Sequence, residues 1–395
     1  MHDVAIIGAG PGGLHAARRL AARGFDVVVL EEHSRIGAPV HCTGILSADA
    51  FPQFNLPASS VLNQLRTAKF FSPSGQTFDY STARVEAVVV DRLVFDQTLK
   101  SEAVQAGAAI RGDSRVSAIE ITERDVRLSL SGVEKPLYAR SCILACGASY
   151  ALQRTLGLGT PPAFLQSAQV EVPAAVTGTH VEIHFGSETA PKGFAWVVPV
   201  PRGTENFVRI GLMCEGANAA ALFRRFAERI AGRWGVALEN LAEPRRKMLP
   251  LAPLRRTYGN RVLVVGDAAG LVKPTTGGGI YYSVLTADLA AAVLTQALDR
   301  DEIHADALSR YEREWRTRFG FELKIQLAFR HHGQRLTDGD IEELFDLVRT
   351  DGIMPLLQRT ADFNQHRALI LALLRHKQFR SIFLRTLQAA AVSAD

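Results

Sequence analysis

The chain has 395 residues, of which 47% are hydrophobic and 22% are charged, and its formal net charge is +5 at pH 7. These proportions are ordinary for a soluble globular enzyme, and the length leaves room for two domains and a large core. The mild positive charge does not indicate nucleic-acid binding, because no helix-turn-helix, RNA-binding motif or aromatic-interleaved basic stripe accompanies it.

The remaining composition bears on location and on metals. The cysteines Cys42, Cys142, Cys146 and Cys214 form no CxxC pair and show no metal-ligand spacing, so we predict neither disulfides nor a metal site. No apolar run approaches the ~18–20 residues that span a bilayer, and the first motif begins too close to Met1 for a targeting peptide. We expect a cytoplasmic protein, with peripheral association at the inner face of the membrane as an option that the positive charge allows.

The chain opens with a strand, a glycine-rich turn, a helix and a second strand. The apolar run at 4–7 predicts the first strand, residues 14–23 predict the helix, and residues 26–30 predict the second strand. The turn contains Gly8, Gly10, Pro11, Gly12 and Gly13. This order of elements is the context that a dinucleotide-binding fingerprint requires.

Each glycine of the turn has its own part in that fingerprint. Gly8 permits the tight turn, Gly10 lets the backbone approach a pyrophosphate, and Gly13 allows the helix to pack closely on the strand. Glu31 ends the second strand, where its carboxylate can accept hydrogen bonds from both ribose hydroxyls. This segment therefore predicts dinucleotide binding.

The middle of the chain alternates between strands and helices. The pattern predicts a hairpin at 67–80, a helix at 92–106, strands within 115–146, a β-rich stretch at 164–213, a helix at 217–234 and a strand at 261–265. After Gly279 nearly everything is predicted to be helical, and residues 366–391 are expected to form two shorter helices packed on the body or on a partner.

A second glycine segment follows the strand at 261–265. Asp267, at the end of that strand, can hydrogen-bond the ribityl chain of a flavin. Gly277, Gly278 and Gly279 precede Ile280 and open a helix, so their amide groups can face N1 and O2 of an isoalloxazine ring and stabilise the charge that develops there on reduction. Together the two glycine segments predict bound FAD. Only one dinucleotide fingerprint is present, so the electron donor is expected to bind transiently.

Further segments resemble the geranylgeranyl reductase family within the p-hydroxybenzoate hydroxylase superfamily of flavoproteins. The resemblance is carried by Pro39–Gly44, by Asp91–Asp96, by the strand Gly193–Pro199, and by Gly266–Ile280, where Gly270 stands at a position that is typically His in aromatic hydroxylases. It implies an α/β fold, α+β overall. A Rossmann-like FAD-binding domain would span 1–66, 81–163 and 255–300. An inserted antiparallel β-sheet substrate domain would span 67–80 and 164–254, and a helical C-terminal region 301–395.

The resemblance also implies a function. It predicts an FAD-dependent reductase that saturates C=C bonds of a geranylgeranyl-type isoprenoid chain, with NAD(P)H or a ferredoxin-type protein as electron donor. Cys42 and Gly44 would lie beside the flavin ring, and the side chain of Arg92 would reach toward the dinucleotide. Phe194, Trp196 and Pro199 would line the prenyl pocket.

Several alternatives stay open. Cys42 is either a proton donor near the flavin or a small packing residue, and Trp196 is either sheet core or pocket wall. The basic residues Arg245, Arg246, Lys247, Arg255 and Arg256 are expected in a solvated loop, with contact to a lipid phosphate as the other reading. For function, the alternatives are a monooxygenase or halogenase acting on a lipophilic small molecule, and a non-catalytic flavin-bound electron relay.

Overall fold

The computed structural model describes residues 1–176, 178–216, 218–350 and 352–392. The predicted first residue of the helix at 217–234 lies outside these residues, as do positions 351 and 393–395 of the C-terminal region. The described strands, in chain order, are β1 (His2–Ile7), β2 (Val27–Leu30), β3 (Ile45–Ser47), β4 (Val61–Leu65), β5 (Thr67–Phe71), β6 (Thr77–Ser81), β7 (Ala87–Val90), β8 (Ala109–Arg111), β9 (Val116–Ile121), β10 (Val126–Leu130), β11 (Leu137–Leu144), β12 (Phe164–Pro173), β13 (His180–His184), β14 (Phe194–Arg202), β15 (Glu205–Cys214), β16 (Arg245–Pro250), β17 (Tyr258–Gly259) and β18 (Val262–Val264).

The described helices are α1 (Pro11–Ala21), α2 (Ala50–Phe54), α3 (Arg92–Gln105), α4 (Ala151–Thr155), α5 (Ala219–Trp234), α6 (Ile280–Asp299), α7 (Ala305–Trp315), α8 (Phe321–Gly333), α9 (Asp338–Thr350), α10 (Ile353–Thr360), α11 (Arg367–Arg375) and α12 (Lys377–Val392). A π-helical turn, Arg316–Gly320, joins α7 to α8. Within the described residues the predicted strands, hairpin and helices are confirmed to within a few residues at each end.

The first sheet has the Rossmann-like arrangement that the sequence predicts. Its order is β17-β18-β11-β1-β2-β8, and β1 pairs in parallel with both β11 and β2. The apolar residues of β1 and β2 are buried, as in a parallel sheet covered on both faces. Helix α6 packs against α1 although it begins at Ile280, so the two glycine segments meet in the folded chain.

The second sheet has seven strands in the order β16-β12-β15-β14-β13-β5-β6, antiparallel except where β13 pairs with β5. Its side chains alternate between two apolar layers. Ala195 and Val197 pack with Phe223 of α5, whereas Trp196 and Val198 lie in the layer on the opposite face. A third sheet, β3-β7-β4, lies beside that second face and contributes Leu65 and Val89 to the same layer.

The prediction of a solvated loop is wrong for Arg245, Arg246 and Lys247. They lie in β16, which pairs antiparallel with β12 and places Lys247 opposite Ser167. Basic residues suit an edge strand, because their charge discourages pairing with another chain. The charge pattern indicated a solvated segment but did not reveal its pairing.

The C-terminal part is helical, and residues 366–391 contain α11 and α12, which confirms two shorter helices. An apolar cluster of Leu347, Ile353, Leu373, Phe379, Ile382 and Phe383 joins these helices to α9 and α10. None of the described helices is both long and apolar enough to cross a membrane. The predicted domain boundaries stay a prediction.

Candidate functional site

The first glycine turn contains glycines that the fold requires and one that it does not. Gly8 has φ of +105°, and a Cβ there would overlap the carbonyl oxygen of Ala145. A Cβ on Gly13 would overlap the carbonyl oxygen of Gly8. Gly10 differs, because its φ is −77° and no heavy atom of the described residues lies within 4 Å of the position that a Cβ would take. Close approach of a ligand explains this glycine, whereas contacts within the protein do not.

The turn ends at the start of α1, where an anion can bind. Gly10 is the N-cap and Pro11 is the first helical residue, so the amide groups of the first turn lack partners within the helix. Glu31 is held beside them, because its Oε2 accepts a 2.8 Å hydrogen bond from the amide of Ala9 and its Oε1 accepts one of 3.1 Å from the amide of His33. This arrangement presents amide donors and a fixed carboxylate to the same ligand.

Arg92, at the start of α3, is a cation on the neighbouring wall whose side chain is 12% exposed. Its Nη2 donates to Oδ2 of Asp96 at 2.8 Å. Burial opposes the charge of Arg92, but the adjacent Asp96 and Cys42 outweigh it and raise the pKa of the guanidinium above its usual range. Among the described residues, the buried Nε of Arg92 has no hydrogen-bond partner, so it remains available to a ligand.

Cys42 and Gly44 lie in the loop between β2 of the first sheet and β3 of the third sheet. The Sγ of Cys42 accepts a 3.3 Å hydrogen bond from the amide of Gly44. Gly44 has φ of +72°, and a Cβ there would meet the guanidinium of Arg209. That guanidinium is 1% exposed and donates to the carbonyls of Thr43 and Val90, so the loop is fastened to the second sheet.

Asp267 lies just beyond β18. Its Oδ2 is 3.3 Å from Nζ of Lys247, and its Oδ1 lies so close to Gly279 that a Cβ there would overlap it. The hydroxyl of Tyr150 donates to the backbone carbonyl of Asp267 at 2.9 Å and holds the turn in place. Asp267 and the glycine segment therefore adjoin, as their spacing in the sequence predicts.

The turn 277–279 leads directly into α6. Gly277 has φ of +72°, and Ile280 begins the helix, whose first amide groups have no acceptor within it. Lys273 holds the turn from behind, because its amide donates to the carbonyl of Gly278 at 3.0 Å and its carbonyl accepts from the amide of Gly277 at 2.8 Å. The amides of Gly277 and Gly278 donate within the turn, to Lys273 and to Oγ1 of Thr276, so the donors offered to a ligand are the first amides of α6, with the local positive potential of a helix N-terminus.

These elements surround one continuous cavity of about 1220 Å³. Of the predicted cofactor residues, all except Gly13 line it: Gly8, Gly10, Pro11, Gly12, Glu31, Cys42, Gly44, Arg92, Asp267, Gly277, Gly278, Gly279 and Ile280. Gly13 instead packs the helix on the strand, which is the part predicted for it. The open space at Gly10, the unpartnered Nε of Arg92 and two helix N-termini are the features that an FAD molecule would use, so this end of the cavity fits that cofactor.

Phe194 and Trp196 line the middle of the cavity, but Pro199 does not line the wall that the described residues form. The two rings are 5.9 Å apart in an edge-to-face arrangement. The indole Nε1 donates to Oε1 of Gln169 at 3.2 Å, and this oxygen also accepts from Thr43. Pro199 is buried, and its carbonyl accepts a hydrogen bond from Asn63. We therefore withdraw Pro199 from the predicted pocket.

Sequence reasoning missed the far end of the cavity. Its apolar wall comes from the C-terminal helices and includes Phe329, Leu344, Phe345, Val348, Leu357 and Phe379. It also missed Lys247, Gln169 and Lys273 in the wall. A lysine within the otherwise uncharged, glycine-rich segment 270–280 was a signal for one of them, whereas the apolar residues belong to no motif.

Comparisons with known proteins agree with this geometry. A model of the family described as lycopene cyclase protein matches residues 3–350. A digeranylgeranylglycerophospholipid reductase of Methanocaldococcus jannaschii is 28% identical over 376 residues, which cover 89% of this chain and 92% of that protein. Digeranylgeranylglycerophospholipid reductase 1 of Methanopyrus kandleri is 30% identical over 381 residues, which cover 89% of this chain and 98% of that protein.

Solved structures share the fold. A geranylgeranyl bacteriochlorophyll reductase-like protein from Thermoplasma acidophilum aligns over 98% of each chain with a TM-score of 0.83 and 22% identity. The halogenase PltM in complex with phloroglucinol and FAD aligns over 98% of this chain and 92% of that one, with a TM-score of 0.68 and 16% identity. At these identities the likeness shows the fold alone.

Proposed function

We propose that this chain, which belongs to the lycopene cyclase protein family and is a geranylgeranyl reductase-type FAD-dependent oxidoreductase, saturates C=C bonds in an isoprenoid chain. One observation carries the proposal. A single cavity joins a polar end, which fits FAD, to an apolar end among the C-terminal helices. Its volume of about 1220 Å³ exceeds the roughly 300–1,000 Å³ of a site for one drug-sized ligand, so it has room for a cofactor and a second molecule.

The hydride for the double bond would come from reduced FAD bound at the polar end of the cavity. The protein must therefore hold the alkene in place, although an isolated double bond offers no group for hydrogen bonding. Apolar walls can do this by shape alone, and positioning of the reacting atoms accounts for much of enzymatic rate enhancement. The aromatic rings of Phe194 and Trp196 lie between the two ends of the cavity, where such a wall is needed.

Gln169 gives that wall a fixed orientation. Its Oε1 accepts hydrogen bonds from the indole of Trp196 and from the hydroxyl of Thr43, which belongs to the loop of Cys42. Gln169 thereby connects Trp196 of the aromatic wall to Thr43 of the loop that contains Cys42. We propose that this connection sets the position of the prenyl chain relative to the flavin.

Cys42 is our proposed proton donor. Its thiol lines the cavity beside Arg92, and the amide of Gly44 orients its sulfur. An S–H group in the cavity wall can act as a general acid toward a molecule bound there. The alternative, that Cys42 only packs the loop, predicts no change in turnover when the sulfur is removed.

The proposal also covers the substrate, the electron donor and the location. The relatives named as digeranylgeranylglycerophospholipid reductases support a prenyl lipid as substrate. We propose that NAD(P)H or a ferredoxin-type protein delivers electrons in a transient complex. We also propose that the protein is cytoplasmic and docks on the inner face of the membrane to reach its substrate.

The experiment that tests this function compares prenyl compounds with and without oxygen. Enzyme reduced with dithionite under anaerobic conditions is mixed with geranylgeranyl diphosphate, a prenylated glycerophospholipid and a prenylquinone, and the products are analysed by mass spectrometry. We expect a gain of two hydrogens per double bond for at least one of them. A product of unchanged mass would indicate cyclisation or isomerisation and would overturn the proposal.

The oxygen arm separates the reductase from its rivals. If reduced enzyme consumes oxygen in the presence of substrate and yields an oxygenated or halogenated product, the monooxygenase or halogenase alternative is correct. If no prenyl compound is altered in either arm while an electron acceptor protein still reoxidises the flavin, the electron-relay alternative is correct. The reductase predicts only hydrogen peroxide from oxygen.

A further inference from the structure

Lys273 is a buried cation in the cavity wall. It is 4% exposed, although lysine is among the residue types least often buried without a partner. Its Nζ donates to the backbone carbonyl of Phe363 at 2.7 Å and lies 3.9 Å from the centre of the Phe363 ring. Within the described residues, the carboxylate that acts on it is that of Asp362, through charge and without a hydrogen bond. An ammonium group has three donors, so this environment leaves part of its hydrogen-bonding capacity available.

The position of the side chain relates it to the glycine turn. It folds across Gly278 so closely that a Cβ on that glycine would overlap the Cε of Lys273 and lie 3.3 Å from its Nζ. The backbone of Lys273 holds the same turn through the hydrogen bonds to Gly277 and Gly278. The absence of a side chain at 278 thus allows the cation to lie against the turn that faces the pyrimidine edge of the flavin in our assignment.

We propose that Lys273 is the cation that balances the negative charge which FAD gains at its N1–C2 edge on reduction. A charge near that edge is one of the few means by which a protein tunes flavin chemistry. FAD that takes up two electrons and one proton gains one negative charge, and a neutral Lys273 amine takes up a second proton as its counter-charge. The electrons come from the donor, which is NAD(P)H or dithionite in the test below.

The surroundings of Lys273 favour such a change of protonation. Burial lowers its pKa to about 7, and the more distant Asp362 compensates only in part. The other charged or titratable groups that face this region are His366 and Asp362 in the segment after α10, Glu322 and Arg330 on α8, and Asp267 with Lys247 across the turn.

None of these groups replaces Lys273. Burial lowers the pKa of His366 to about 4, so this imidazole is neutral at pH 7. The carboxylate of Asp362 accepts from the amides of Asn364 and Gln365, and Arg330 donates to the carbonyls of Pro274 and Thr275. Lys273 is the cation that lies against Gly278, and its lowered pKa brings its change of charge close to neutral pH.

The sign of the effect on redox potential follows from proton uptake. The negative charge of reduced FAD would raise the pKa of Lys273 above about 7. Between pH 7 and that higher pKa, reduction of FAD is therefore accompanied by uptake of a second proton, at Lys273. Each proton taken up with two electrons changes the equilibrium tenfold per pH unit, or about 30 mV. The midpoint potential of the wild-type FAD enzyme should fall by about 60 mV per pH unit from pH 8 to 9, where one proton alone gives about 30 mV.

The test measures the midpoint potential of the FAD-loaded enzyme by dye equilibration, without any prenyl compound. In Lys273→Met, we expect a slope of about 30 mV per pH unit and, at pH 8, a tenfold to hundredfold weaker preference for the reduced state, which is about 30–60 mV. Lys135→Met, which removes an exposed lysine, is the matched control and should behave as wild type.

Two results would overturn the inference. If the midpoint potential of the wild-type enzyme falls by only about 30 mV per pH unit, the inference is wrong. This measurement needs no variant, so the test stands even if Lys273→Met fails to retain FAD. A Lys273→Met enzyme with wild-type potential and slope would show that the lysine merely ties Phe363 to the turn. The inference rests on FAD binding in the proposed function, but the readout is independent of alkene reduction, so the two can fail separately.

Discussion

The two ends of the cavity are built in opposite ways. At the FAD end, glycines, a carboxylate and helix N-termini come from two short segments of the chain, around 8–13 and 266–280, and each position has a steric or electrostatic demand. At the far end, apolar side chains from α8, α9, α10 and α12 form a wall in which no single position has a demand of that kind. Cofactor binding should therefore be sensitive to single atoms, whereas substrate binding should depend on the volume and shape of the wall.

The largest effect is expected from Gly10→Val. Its φ of −77° suits any residue, and no atom in the part of the chain that the structure describes lies within 4 Å of a Cβ there, so the variant should fold normally. The side chain would occupy the space that we assign to the pyrophosphate. We predict at least a hundredfold loss of FAD affinity, measured by titrating apoprotein with FAD. Gly259→Val, at another position with no heavy atom within 4 Å, is the control and should bind FAD as wild type. Full FAD binding by Gly10→Val would mean that the pyrophosphate lies elsewhere.

A smaller effect at the same end is expected from Asp267→Ala. The change removes an acceptor for the ribityl chain and leaves Lys247 without its carboxylate partner. A hydrogen bond to a charged group contributes about 1.5–3 kcal/mol, so FAD affinity should fall about tenfold to hundredfold. The exposed Asp299→Ala is the control. Purified Asp267→Ala that retains a full complement of FAD would remove this residue from the site.

At the apolar end, Val348→Trp should alter substrate choice rather than FAD content. The larger side chain would fill part of the space in which a long prenyl chain lies. We predict that kcat/KM for C20 prenyl substrates falls about tenfold while that for C10 analogues changes little, since binding of remote substrate parts contributes to kcat/KM. Val133→Trp, at an exposed position, controls for added bulk. Equal losses for both chain lengths would contradict a chain-binding role for this wall.

The smallest of these effects is expected from Cys42→Ala. Cys42 lines the same cavity as the FAD end and the apolar end. Removal of the thiol leaves Arg92, Asp96 and the glycine segments in place, so FAD content should stay near normal. We predict alkene reduction that is about fivefold slower, because general acid catalysis by the thiol is lost and solvent substitutes in part. Anaerobic single-turnover rates measure this. An unchanged rate would reduce Cys42 to a packing residue.

The contrast between the two ends also explains what the sequence could predict. Gly8, Gly13, Glu31 and Asp267 were identifiable because backbone geometry and charge restrict each position to one residue type. Their meeting in space was also predictable, because both segments were predicted to contact the same cofactor.

The apolar wall could not be predicted in the same way. Leu344, Val348 and Leu357 are typical helix-core residues, and only tertiary packing leaves a cavity beside them. Pro199 was expected in the prenyl pocket but does not line the cavity that the described residues form. A strand motif indicates which strand reaches the pocket, but the pocket ends before that residue. The strand at Lys247 was missed because charge alone does not indicate pairing.

The central claim is that the FAD end and the apolar end of the cavity bind FAD and a prenyl chain side by side for one reaction. Anaerobic mixing of stoichiometrically reduced enzyme with a geranylgeranyl substrate measures this most directly, with flavin absorbance followed in time and product mass determined from the same sample. We predict that flavin is reoxidised without oxygen and that one double bond is saturated for each FAD oxidised. Flavin that stays reduced with every prenyl compound, or that is reoxidised without a matching gain of two hydrogens in the product, would contradict the account.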